Sequence, residues 1–142
     1  MKLSPAAEFA IRGVLVLAQR HGQGPTTLDA ICAERDLPKQ YLVKIFASLT
    51  KANLVTPVRG KKGGFLLARE PENISLLDIV EAVEGPIVLN LCQQAPPQCE
   101  NTACPVRPIW AELQDFIRGK LSSVTLASCL SQAQVGQAVG SL

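Results

Sequence analysis

Across residues 6–20 the apolar side chains Phe9, Ala10, Gly13, Val14, Leu17 and Ala18 recur at intervals of three and four. That is the period of a helix with one buried face. Glu8 and Arg12 interrupt the apolar stretch, so it reads as a first helix and not as a signal peptide. HGQGP at 21–25 breaks the pattern, and Thr26 or Thr27 then offers a hydroxyl to the free amides at the start of a second helix over about 28–35. Asp36-Leu37-Pro38 predicts a tight turn, with Pro38 in the first turn of a third helix, where its missing N–H loses no partner. That helix places Leu42, Ile45, Phe46 and Leu49 on one face and Lys39, Gln40, Lys44 and Lys51 elsewhere, and Asn53 ends it.

Beyond Asn53 the pattern shortens. LVTPV (54–58) and FLLA (65–68) read as two short strands around RGKKGG (59–64). The glycines permit a sharp reversal and the three cations are carried to its tip, so the segment predicts a basic hairpin. Ser75, with Asp78 three residues on, predicts a capping box for a helix through 83, which Gly85-Pro86 stops. Residues 87–102 are irregular and contain Pro96-Pro97, as a loop does. A last long helix is expected from near Pro105, with Ile109, Leu113, Phe116, Ile117 and Leu121 in a stripe that so small a chain can hardly bury alone, which points to a partner chain. The small, polar residues of 131–142 are expected to fray. The fold expected is mainly α with a small β-hairpin wing. It is a winged helix-turn-helix at 1–84, a cysteine-containing regulatory loop at 85–104, a dimerisation helix and C-terminal segment at 105–130, and a flexible tail at 131–142.

Composition sharpens this picture in one respect. The 142 residues suit one domain with an appendage, and no apolar run reaches the roughly 18–20 residues that cross a bilayer. A cytoplasmic protein without a membrane partner is expected. The net charge of +2 hides a segregation: residues 35–69 carry eight basic side chains against Asp36, or +7, leaving −5 on the remainder. Such a window makes a localised surface for a polyanion. Helix, helix, turn, helix and basic hairpin is the order of a winged helix-turn-helix on double-stranded DNA. Lys39, Gln40, Tyr41 and Lys44, at the start of the third helix, would enter a major groove about 12 Å wide that admits one helix. Gln40 suits adenine, while the lysines and Tyr41 suit phosphates or guanine. Arg59, Lys61 and Lys62 of the hairpin suit phosphates or the adjacent minor groove. A helical domain whose surface hairpin binds protein is the alternative.

Five cysteines in a chain read as lacking a secretion signal argue against a disulfide framework. Cys32 and Cys129 are scattered, as small buried apolar residues are. Cys92-x6-Cys99-x4-Cys104 instead gathers three soft thiolate ligands in one loop. Structural zinc takes four ligands, and no CxxC pair is present, so an iron–sulfur cluster with one unusual further ligand is the better fit. Free thiols or one reversible disulfide is the alternative. For the further ligand, His21 lies far along the chain, whereas Glu8 offers a hard carboxylate that binds weakly and leaves readily. A glutamate near a helix N-terminus is also favoured there by the helix dipole alone. Without CxxC, an evident carboxylate partner for His21, or the glycine motifs of phosphate-binding enzymes and hydrolases, the chain does not read as an enzyme. A thiol oxidoreductase is the weakest alternative.

These residues resemble the Rrf-type winged-helix regulators, the family that includes IscR, NsrR, RirA and CymR. MKLSPAAEFAIR resembles its opening, DLPKQYLVKIFASLTKANLV its recognition helix and VRGKKGGFLLAR its wing. ISLLDIVEAVEGP, the three-cysteine loop, PIWAELQDFI and VTLASCL extend the likeness to about residue 130. The resemblance implies a homodimer, crossed through the long C-terminal helix, on a palindromic operator. It implies a [2Fe–2S] or [4Fe–4S] cluster on Cys92, Cys99 and Cys104 that senses iron, nitric oxide or redox state. IscR-like members complete the site with a histidine three residues after the last cysteine, where this chain has Arg107. NsrR-like members use an acidic side chain near the N-terminus of the partner, and Glu8 occupies that place. A regulator of the same fold without a cluster, using thiols or a small-molecule effector, is the alternative within the family.

Overall fold

The computed structural model describes residues 2–140. Six helices and one two-stranded hairpin follow one another as α1 (Pro5–Gln19), α2 (Leu28–Arg35), α3 (Lys39–Lys51), β1 (Val55–Val58), β2 (Gly64–Leu67), α4 (Leu76–Glu84), α5 (Arg107–Ser123) and α6 (Leu126–Gly140). Single 3-10 turns lie at Pro71–Asn73 and Leu91–Gln93. None of the described helices is long and apolar enough to cross a membrane.

Local chemistry starts these helices where the sequence places them. Ser4 Oγ accepts from the Ala7 amide at 3.2 Å, with Pro5 opening α1; Thr27 Oγ1 accepts from Ala30 at 3.2 Å to open α2. The capping box at α4 is complete: Ser75 Oγ accepts from the Asp78 amide at 3.1 Å, and Asp78 Oδ2 accepts from the Ser75 amide at 2.9 Å. Pro38 falls one place earlier than expected. It is the N-cap of α3, its carbonyl accepting from Tyr41 and Leu42 at 3.2 and 3.1 Å. Asn53, left-handed at φ 59°, turns the chain out of α3.

The core is built on α1, which buries Ala7, Ala10, Val14, Val16, Leu17 and Ala18 against α2, α3, α4 and α6. Leu42, Ile45, Phe46 and Leu49 fill it from α3. The two helices approach so closely that a Cβ on Gly13 would stand 3.0 Å from the Phe46 ring. In the hairpin, Val55 pairs with Leu67 and Val58 with Gly64. The hairpin is also anchored sideways. Thr26, in the α1–α2 connection, donates to the Phe65 carbonyl at 3.0 Å and accepts from its amide at 2.8 Å, while the Phe65 ring packs edge-on against Phe46 at 4.9 Å. Gly64 permits this contact: its φ is +143°, and a Cβ there would lie 2.4 Å from the Thr26 carbonyl oxygen.

The C-terminal region departs from expectation. Instead of one long helix and a frayed tail over 131–142, a break at Val124 separates α5 from α6, and α6 continues to Gly140; residues 141 and 142 lie outside the described residues. The physical reason is a second reciprocal cap, Thr125 Oγ1 accepting from the Ser128 amide at 3.2 Å and Ser128 Oγ from the Thr125 amide at 3.0 Å. Leu126 is fully buried, and its amide donates to Ile74 at 3.0 Å while Leu76 donates to Val124 at 2.9 Å. The chain therefore returns from α5 to pack α6 on α1.

Candidate DNA-reading surface and cysteine cavity

Burying Leu42, Ile45, Phe46 and Leu49 turns the opposite side of α3 outward, and Lys39, Gln40, Tyr41 and Lys44 are all exposed there. Val43, half exposed among them, adds an apolar contact that the pattern of charges did not single out. Tyr41 does not swing freely: its ring packs 6.3 Å from that of Phe9 on α1. At the wing tip Arg59, Lys61 and Lys62 are exposed on a turn that Gly63 closes by donating to the Gly60 carbonyl at 3.0 Å. None of the ion pairs among the described residues engages Lys44, Arg59, Lys61 or Lys62. Lys39 differs, its Nζ standing 2.7 Å from Asp29 Oδ1 on α2. Sequence spacing within one helix could not reveal that pair, because it spans two helices.

The loop between α4 and α5 brings the three cysteines together. Cys92, Cys99 and Cys104 line one cavity of about 120 Å³ with Asn90, Leu91, Val106 and Trp110. Cys92 is buried in the 3-10 turn, which Asn90 Oδ1 opens by accepting from the Leu91 amide at 2.9 Å. Gln93 Nε2 stands 3.4 Å from both Cys92 Sγ and the Arg107 carbonyl, tying the turn to the start of α5. Arg107, the first residue of α5, donates its amide to the Cys104 carbonyl at 3.2 Å. All five cysteines are free thiols.

The other ligand candidates lie elsewhere. Glu8 is exposed in the first turn of α1 and does not line the cavity of its own chain. Contrary to the expectation from sequence, His21 does have a carboxylate partner, Glu70 Oε2 at 2.9 Å from its Nε2, because the fold brings the two together across 49 positions. Burial, and then the Asp29 carboxylate, pushes the Cys32 thiol up, and burial does the same to Cys129. Both shifts oppose the thiolate that a metal needs.

Among the described residues no three His, Cys, Asp or Glu side chains are grouped closely enough to hold a metal ion. A polynuclear cluster is less demanding of proximity than a single ion, because its ligands are spread over two or more iron atoms. Three thiols around one mostly apolar cavity therefore fit the donor set of an iron–sulfur cluster, though not that of structural zinc.

A trihelical core, an outward recognition helix and a basic wing define a winged helix-turn-helix protein. The family profile described as "Iron-dependent Transcriptional regulator" (Rrf2) matches residues 3–132, and the chain belongs to the Rrf2 family of DNA-binding transcription regulators. It is 33% identical over 132 residues to the HTH-type transcriptional regulator CymR of Bacillus subtilis, covering 92% of this chain and 91% of that one. The solved structure of CymR, the global cysteine regulator of B. subtilis, superposes with a TM-score of 0.81 at 31% identity, over 93% of this chain and 98% of that one. IscR of T. potens follows at 0.80 and 32%, over 96% and 91%. These relatives are regulators and not enzymes.

Proposed function

We propose that the chain acts in the cytoplasm as a homodimer on a palindromic operator, reading DNA with Lys39, Gln40, Tyr41, Lys44, Arg59, Lys61 and Lys62, and that its cysteine loop is the sensing element. The observation that carries the sensing half is the convergence of Cys92, Cys99 and Cys104 on one cavity. The dimer is supported by α5, none of whose residues is buried, with Ile109, Leu113 and Phe116 exposed at 52%, 42% and 72%. In this reading the three thiolates hold a [2Fe–2S] or [4Fe–4S] cluster, and Glu8 of the partner subunit supplies the labile further ligand. Bound there, the cluster would supply one-electron redox change and a labile iron position open to nitric oxide, and its assembly would depend on iron supply.

The chain's own residues carry the response onward. Glu81 on α4 pairs with Arg118 on α5 and accepts from the Ile87 amide at 3.3 Å, and Gln114 on α5 accepts from Leu89 at 3.1 Å. The entry to the cysteine loop is thus fastened to both helices. α4 in turn packs on α1 and α3, so a change in the order of the loop biases the placement of the recognition helix, the differential contact that coupling between two sites requires. Anaerobic reconstitution followed by absorbance and operator binding tests this reading. A Cys92→Ala protein with unchanged spectrum and unchanged regulation overturns it.

A second reading, a regulator without a cluster that responds through its thiols or a small effector, is favoured by the lack of a grouped metal-ligand set among the described residues and by the likeness to the cysteine regulator CymR. Iron and sulfide analysis of anaerobically purified protein separates the two.

A further inference from the structure

We propose that Val43 is a specificity-determining residue of the DNA-reading surface: its methyl groups read the 5-methyl group of a thymine in the major groove, close to the base that Gln40 meets. The inference rests on the reading of α3 as the recognition helix.

α3 turns Leu42, Ile45, Phe46 and Leu49 into the core. At 3.6 residues per turn this faces Gln40, Val43, Lys44 and Ala47 the other way, and all four are exposed. Val43 is the one large apolar side chain among them, with 50% of its surface uncovered. It packs on no part of the hydrophobic core. With Pro38, Lys39 and Gln40 it lines a shallow, open depression at the start of the helix.

A β-branched side chain has one strongly preferred χ1 rotamer in a helix, so Val43 loses little freedom when a surface closes on it. It carries neither donor nor acceptor. A guanine O6 or a cytosine amino group set against it gives up water and gains no partner, which costs free energy. The thymine C5-methyl is the one apolar group in the major-groove code, and against Val43 it leaves water at no such cost. Complementarity therefore selects thymine. Val43 lies three residues beyond Gln40, about 4.5 Å along the helix axis, and base pairs are spaced by about 3.4 Å, so the thymine falls within two base pairs of the one that Gln40 reads.

The test uses the full chain, the operator selected by the wild-type protein from a random duplex pool, and a scrambled duplex of equal length. Each dT of the operator is replaced in turn by deoxyuridine, which deletes the methyl group and keeps every hydrogen-bonding group, and Kd is measured for the wild type and for Val43→Ala. One replacement, within two base pairs of the position whose preference Gln40→Ala relaxes, is expected to weaken wild-type binding by about threefold to fivefold per half-site, the loss of one buried methyl. The same replacement leaves Val43→Ala binding nearly unchanged, and Val43→Ile keeps the sensitivity. Binding to the scrambled duplex is the same for wild type and Val43→Ala, since no phosphate contact is lost. Equal losses on deoxyuridine in both proteins overturn the proposal in favour of DNA shape. No sensitive dT, or a coupled one farther from the Gln40 position, overturns it as well. A wild-type protein that selects no sequence from the pool, or a selectivity that Gln40→Ala and Lys44→Ala leave intact, defeats the recognition-helix reading itself.

Discussion

Replacing Phe116 by alanine separates the fold of one chain from its assembly. Phe116 leaves 72% of its surface uncovered on α5. At roughly 200 Å² for a phenylalanine and about 25 cal/mol/Å², covering that fraction contributes about 3–4 kcal/mol per protomer as an upper figure. Alanine retains a little of this, so two symmetry-related substitutions remove about 4–6 kcal/mol from a dimer, which raises its dissociation constant by about three to four orders of magnitude. The thermal midpoint of the monomer should scarcely move, since Phe116 packs on none of the buried core. Sedimentation velocity over a dilution series reads the first quantity and a calorimetric scan at low concentration the second. A Phe116→Ala protein that dimerises as tightly as wild type refutes the assignment of α5 as the interface. One that unfolds at much lower temperature as a monomer refutes the placement of Phe116 outside the core.

Gly64→Ala sets a methyl against the Thr26 carbonyl in a backbone conformation that side chains avoid; denaturant titration should show a loss of about 2–4 kcal/mol, and DNA affinity should fall with it. Arg59→Ala or Lys61→Ala should weaken binding to operator and scrambled duplex alike and reduce the salt slope by about 0.9 each in a fluorescence titration. Cys32 and Cys129, whose folded pKa values lie above the ordinary thiol value of 9.0, should alkylate slowly at neutral pH and accelerate only as the pH passes that value, as peptide mapping by mass spectrometry would show. The same shifts favour the protonated folded state, so their contribution to stability is present below 9.0 and is lost as the pH rises through the folded values.

What the sequence disclosed was whatever depends on neighbours along the chain. The α1 stripe, the Ser75–Asp78 box and the glycine-rich turn between β1 and β2 each follow from residues within a few positions of one another, and each is found where expected. The winged helix-turn-helix followed because its element order is local too. Pairings across the fold left no such trace. Asp29 with Lys39, His21 with Glu70 and Thr26 with Phe65 are set by packing on α1, and nothing in their spacing announces them. The frayed tail was a compositional reading. Small and polar residues weaken a helix only when nothing fixes its start, and Thr125, Ser128 and the buried Leu126 fix the start of α6. The convergence of the three loop cysteines was foreshadowed by their spacing, but the residues that fasten the loop, Gln93 and Gln114, carry no recognisable motif.

The backbone bridge from Thr26 to Phe65 and the ring contact from Phe65 to Phe46 join the wing to the helices it flanks. In the proposed DNA-reading mode, α3 and the hairpin then act as one stiff jaw, with the angle between major-groove and flanking contacts set before DNA arrives. In the proposed dimer the adjustable quantity is then the gap between two such jaws. A signal at the cysteine loop would act as the screw of a caliper, setting which half-site separation the pair can span while leaving unchanged the bases that each jaw prefers.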